Sequence, residues 1–217
     1  MVRKGNYLWS EDKGSEPKPK NLKGGKMKKV LRAVVVLILS VVSTTYGFDG
    51  NRKGFVLGGG LGFSPRSSWE GNVVDLSTFP PQIVKADENK AGLGLNLIIG
   101  YAWDEQNMIV YEGNVTGWNS DLFVDQSIAQ GFNGASWYHY FGVPGRSAFT
   151  TLGLGFYVFD VKDYDANDAK GAILLGGGYE FARHWQLGGY LGIGKTSDPG
   201  GDFDHTHFSI LVSGVAF

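Results

Sequence analysis

The sequence predicts an all-β protein, an eight-stranded antiparallel up-and-down β-barrel of the transmembrane kind, and three observations carry that prediction. Eight segments after residue 48 alternate apolar side chains with small or polar ones at a period of two, the period of a strand. The links between them alternate in length, short then long. Aromatic residues gather at the short-link ends, where a membrane–water interface favours them.

Composition excludes several alternatives. The 217 residues include 34 glycines and no cysteine, so thiol chemistry, disulfides and cysteine-ligated metals are absent. Residues 1–47 hold ten Lys and Arg against three Asp and Glu, which leaves ten against eighteen, net −8, for 48–217. The part that folds therefore lacks a basic nucleic-acid footprint.

Residues 1–26 are lysine-rich, carry no apolar periodicity, and read as a disordered tail or a translated upstream region. From Met27 the pattern is that of a secretory signal peptide over 27–47. Lys28, Lys29 and Arg32 form the basic region, 33–42 the apolar run, and Thr45 and Gly47 the small residues before the cut. The apolar run is too short for a spanning helix, which needs about 20 residues. Membrane residence of the segment 48–217 must then come from strands.

The strands follow in order. Phe55, Leu57, Leu61 and Phe63 share the first outer face; Leu93, Leu95, Leu97, Ile99, Tyr101 and Trp103 the second; Ile109, Tyr111 and Val115 the third. The fourth, near 127–141, is the least regular, with Phe132, Tyr138 and Tyr140 in one parity. Leu152, Leu154, Phe156 and Val158 mark the fifth. Ile173, Leu175, Tyr179 and Phe181 mark the sixth, and Trp185, Leu187, Leu191 and Ile193 the seventh, across a turn at 182–183. The eighth is 205–217, where both parities are apolar and the facing stays open. Short turns are expected near 104–107, 143–147 and 182–183, and long polar links near 64–89, 116–125, 160–169 and 196–204. Tyr101, Trp103, Tyr138, Tyr140, Tyr179, Phe181 and Trp185, with Phe55, Phe149 and Phe217, would form one periplasmic girdle. A soluble barrel would instead turn the bulky faces inward and show water its glycines.

This plan resembles the small outer-membrane barrels of the OmpA and OmpX type, over about 48–217 and as a pattern rather than a shared motif. The resemblance implies an outer-membrane location in a Gram-negative envelope, contact with outer-membrane lipids and lipopolysaccharide, and a terminal aromatic, here Phe217, that the barrel-assembly machinery reads. It also implies a monomer, no cofactor and no enzymatic activity.

An eight-stranded barrel is filled by side chains, so function is expected in the loops or the polar interior. Asn96, Glu112, Asn114, Glu180 and Gln186 are the lumen candidates, with His139 expected to face inward beside them and Lys90 and Arg183 near strand ends. Because unpaired buried charge is costly, they are expected to form a satisfied polar core. His207-Phe208-Ser209 resembles the His-x-Ser of lipid A deacylases, but Ile210 stands where that family has Asn and no acid is evident. Residues 163–168 begin like a calcium loop, yet Asp168 and Leu174 occupy the Gly and Glu places, and Asp198, Asp202 and Asp204 form a second acidic cluster; no metal site is expected. Gly58-Gly59-Gly60 and Gly176-Gly177-Gly178 sit mid-strand and serve curvature, not phosphate binding. The function expected is envelope-structural or surface interaction through the longer loops. The alternatives are a porin-like narrow channel of the OmpW type and, behind it, a deacylase-like esterase.

Overall fold

The computed structural model describes residues 51–75, 79–120, 127–161, 168–198 and 201–217. The tail, the signal peptide and the calcium-like 163–167 lie outside these residues. The chain forms β1 (Gly54–Asp75), β2 (Gln82–Ala102), β3 (Asn107–Asn119), β4 (Ser127–Tyr140), β5 (Ser147–Val161), β6 (Asp168–Ala182), β7 (Trp185–Asp198) and β8 (Gly201–Ala216). Each strand pairs with its sequence neighbours, and β8 returns antiparallel to β1 to close the barrel. Closure matters physically, because it leaves no sheet edge unpaired within the wall.

Chemistry at the short turns fits the tight reversals. Asp104 Oδ1 accepts from the backbone N–H of Gln106 at 2.8 Å and of Asn107 at 2.7 Å, holding the β2–β3 turn. Desolvation pushes the Asp104 carboxyl up, but these N–H donors and the Asn107 amide hold it below the usual carboxylate range. His184 takes a positive φ of 68° in the β6–β7 turn and packs its ring on Phe217.

Two of the expected long links are shorter than the sequence suggests. Residues 64–89 are mostly strand: after a bulge between Ser64 and Ser67, β1 and β2 stay paired to Asp75↔Gln82. The pairing of β7 with β8 runs to Asp198↔Gly201, so 196–204 is a tight reversal. No lipid-type alternation marks either stretch, because outward residues such as Glu70, Lys85, Lys195 and Asp204 face water there.

Inside, glycines stand opposite rings. A Cβ on Gly192 would fall inside contact distance of the His207 ring, one on Gly188 would meet Tyr190, and one on Gly194 would meet Tyr157. Small residues thus make room for the aromatic rings beside them in the interior. Gly192→Val is expected to cost about 1–3 kcal/mol by overpacking, visible as a lower temperature for loss of the compact, fast-migrating form on unheated gels.

Candidate functional site: a filled barrel with a projecting hairpin

The outer wall carries the bulky residues. Phe55, Leu61 and Phe63 of β1, Leu93 to Trp103 at alternate positions of β2, Leu152, Leu154 and Phe156 of β5, and Leu187 and Ile193 of β7 are all exposed. Phe208, Ile210 and Val212 join them, which settles the facing of β8. Tyr101, Trp103, Tyr179, Phe181 and Trp185 face outward at the short-turn end. So large an exposed apolar surface, on a barrel whose interior holds the charges, is suited to lipid and not to water. This is a membrane-spanning barrel.

Four of the expected girdle residues are not in the girdle. Tyr138, Tyr140, Phe149 and Phe217 point into the barrel and are buried. In β4 the parity is inverted relative to a bulky-outside rule: Ala129, Gly131, Asn133 and Ala135 face out, and Trp137 takes the interfacial place. The tyrosines are held inside by hydrogen bonds, Tyr138 OH donating to Glu112 Oε2 at 3.0 Å and Tyr140 OH to Gln186 Oε1 at 2.8 Å. His139 faces outward, its Nδ1 2.9 Å from Asn107 Oδ1 and its ring edge-on to Phe141.

The interior is layered. At the short-turn end Arg52, which precedes β1, lies fully buried in the mouth. Its guanidinium meets Glu180 Oε2 at 2.5 Å, donates to the Glu105 carbonyl, and sits 3.8 Å from the Tyr140 ring centroid and 5.9 Å from that of Phe217. In the middle, Asn96, Glu112, Asn114 and Gln186 point inward and are buried. Ser213 donates to Asn96 Oδ1 at 3.2 Å, and Ser209 donates to Asn114 Oδ1 at 3.2 Å. Glu112 has no cationic partner among the described residues. His207 lies between Tyr157 OH at 2.8 Å and Asn114 Oδ1 at 3.2 Å. His207 and Ser209 thus share an inward face and an amide partner, with no carboxylate to orient the imidazole among the described residues.

Toward the long-loop end the lumen is filled by Trp69, Phe159 and Phe203, with ring centroids 6.1 and 6.0 Å from Trp69. Trp69 Nε1 donates to Glu88 Oε2 at 3.3 Å, and Ser120 donates to the same oxygen at 2.9 Å. A cleft of about 300 Å³ beside it is lined by Arg66, Glu70, Asp87, Glu88 and Asp204 among others. Outside, Lys85 pairs with Glu70, Lys170 with Asp202 and Lys195 with Asp204. These partners raise Lys85 and Lys195 above the ordinary lysine range and lower Asp202 below the ordinary carboxylate range. Asp202 and Asp204 of the second cluster are engaged by lysines, and no three potential ligands converge among the described residues.

The β1–β2 hairpin outruns its neighbours. Pairing of β1 with β8 stops at Gly71↔Phe203 and of β2 with β3 at Leu93↔Gly117, while β1 and β2 continue together to Asp75↔Gln82. From Leu93 to Gln82 that is about 35 Å along the strand. Phe79 at the tip is 100% exposed and Ile83 73% exposed.

Sequence reasoning missed Arg52, the Trp69 cluster and this tip. Arg52 stands next to Lys53 just before the first strand, and nothing in that local sequence marks it as the partner of the inward Glu180 on the sixth strand.

No protein-family model matches the chain, and no curated protein matches it. Among solved structures it is similar to Ail, the attachment invasion locus protein of Yersinia pestis, in complex with a heparin analogue, at 15% identity and TM-score 0.46, covering 76% of this chain and 99% of that one. It is similar to Neisserial surface protein A at 11% identity and TM-score 0.47, covering 74% and 96%. It is similar to the outer membrane protein OprG of Pseudomonas aeruginosa at 13% identity and TM-score 0.44, covering 76% and 98%. At these values the likenesses carry no argument; the barrel stands on its own strand pairing.

Proposed function

We propose that the protein resides in the outer membrane and acts there without enzymatic activity, holding the β1–β2 hairpin away from the surface as an interaction element. The observation that carries this reading is the fully exposed Phe79, with Ile83, at the end of a hairpin that extends past both neighbouring strands. Exposed apolar side chains on a rigid paired ribbon have a cost in water that contact with a partner removes. The apolar outer wall and the expected signal peptide support the location.

The filled lumen supports a non-conducting role. Arg52, Tyr140, Phe149 and Phe217 occupy one end, Trp69, Phe159 and Phe203 the other, and between them lie the buried Glu112, bonded by Tyr138, and Asn114, bonded by Ser209. The inward facing of His207 and Ser209, away from lipid, supports the absence of deacylase chemistry.

The test is the double substitution Phe79→Ser with Ile83→Ser in intact cells displaying the protein. Each side chain buried in a contact contributes roughly 1.5–3 kcal/mol. Adherence to a panel of immobilised matrix proteins and to a phenyl-bearing surface is therefore expected to fall tenfold or more, with barrel mobility on unheated gels unchanged. Undiminished adherence would remove the hairpin tip from the function.

A further inference from the structure

The β4–β5 and β6–β7 turns touch at the short-turn end, and each carries an arginine. Val143-Pro144-Gly145-Arg146 is a type II turn: Arg146 N–H donates to the Val143 carbonyl at 3.1 Å, with proline in its second place and Gly145, at a φ of 90°, in its third. Glycine is required there twice over. An added Cβ would also stand 3.2 Å from the backbone nitrogen of Arg183 and 3.3 Å from its Cγ. Arg183 is fixed in turn by its neighbour, because the His184 carbonyl accepts from Val215 N–H at 2.8 Å. Two rigid turns thus present neighbouring arginines, and both are exposed. Neither side chain has an ion pair or hydrogen bond among the described residues. The two turns contain no acid, while Glu180 lies inside on Arg52 and Asp104 holds its own turn.

The surroundings of this cationic pair are apolar. Trp137, His139 and Phe141 follow one another down the outer face of β4, with successive ring centroids 5.8 and 4.8 Å apart, so the row runs straight into the turn. Phe141 N–H donates to the Ala148 carbonyl at 2.9 Å, and Ala148 pairs with Tyr179, which puts Phe141 in the same row of the wall as a girdle residue. Phe141 is 61% exposed and Val143 66%, and Phe181 and Trp185 beside the other turn are exposed too. In water such a patch is costly. In a headgroup layer it continues the lipid-facing wall.

We propose that Arg146 and Arg183 together bind the phosphate of an anionic phospholipid, whose glycerol and first acyl carbons lie against Phe141 and Phe181. A guanidinium presents a planar fork of donors that matches phosphate oxygens. Two such cations with no acid between them favour a headgroup of net negative charge over a zwitterionic one. A phospholipid joins that anion to an apolar body already in contact with the wall, whereas a free anion leaves Phe141 and Val143 in water. Bound there, the lipid anchors the barrel at its periplasmic end and sets its depth and rotation. The site depends on the barrel spanning a membrane and not on the hairpin tip, which lies at the other end.

The test uses the full chain folded in a non-ionic detergent and titrated with phosphatidylglycerol or phosphatidylcholine, bound lipid being counted by native mass spectrometry. Phosphatidylglycerol is expected to bind the more tightly. Arg146→Gln and Arg183→Gln should each weaken it about fivefold and the double variant about thirtyfold, the usual worth of interfacial cations near anionic lipid. Lys53→Gln, an exposed cation before β1 at the same end, should leave it unchanged, as should equimolar inorganic phosphate. All three positions are exposed, so the barrel still folds, as its mobility on unheated gels will verify. Equal affinity for the two lipids would overturn the assignment. So would a loss in Lys53→Gln as large as in Arg146→Gln, which is what general surface charge gives, or displacement of the lipid by inorganic phosphate, which is what a free-anion site gives.

Discussion

Replacing Arg52 by alanine is expected to lower the stability of the folded barrel by about 3–5 kcal/mol, the usual cost of breaking one side of a buried ion pair. The reason is local. Arg52 and Glu180 side chains are 1% and 3% exposed, so neither ion is rescued by water when the other is removed. Alanine at 52 also removes the cation that stands over Tyr140 and donates to the Glu105 carbonyl. Glu180→Ala should cost a similar amount by leaving the guanidinium uncompensated. The double variant Arg52→Met with Glu180→Leu separates the pair's net worth from the penalty of orphaning one partner. Its stability should return most of the way to that of the unmodified protein, because an apolar pair avoids the desolvation of both ions. The measurement is urea unfolding in a fixed lipid or detergent, followed by tryptophan fluorescence. Losses under about 1 kcal/mol in both single variants would mean that the mouth is hydrated and the pair behaves as a surface one.

The same mouth shows why some of the architecture was legible in the sequence and some was not. The wall of β2 could be recognised because lipid imposes a rule on every second residue, so Leu93 through Trp103 repeat without interruption. Such a rule weakens wherever the outside is not lipid or the inside is not polar. In β4 the interior takes Phe132, Tyr138 and Tyr140, with Gly134 and Gly153 leaving space for the Phe132 ring, and the outside takes Ala, Gly and Asn. Bulk alone then points Tyr138 and Tyr140 toward the girdle, although their hydroxyls bond Glu112 and Gln186 inside. Arg52 was invisible for a different reason. Its partner lies 128 residues away in sequence, and nothing local distinguishes an arginine that enters a barrel from one in a solvated leader. The projecting hairpin was hidden because Ser68, Glu70, Lys85 and Asp87 face water, where pairing is set by backbone hydrogen bonds and leaves no apolar period to find.

A charge placed on the outer wall tests the membrane assignment itself. Leu97→Arg puts a guanidinium at the middle of the outward row of β2, and in a bilayer it is expected to cost about 2–4 kcal/mol, the depth-dependent cost for the midplane of a barrel. Leu154→Arg on β5 should behave alike, since Leu154 is exposed on the same band at 64%. Asn89→Arg, an outward position of β2 beyond the pairing with β3, should change stability by no more than about 0.5 kcal/mol, as surface substitutions in water do. A gradient of this kind from band to hairpin arises only if the band is solvated by hydrocarbon. Were the barrel a soluble carrier, an exposed Leu97 would tolerate arginine as readily as Asn89 does, and the three variants would unfold at the same denaturant concentration. The comparison is informative in a second respect. Arginine on the wall leaves the Arg52–Glu180 pair and the Glu112–Tyr138 bond untouched, because both lie on the other side of the sheet. Any loss therefore reports the solvent outside the barrel and not the packing within it.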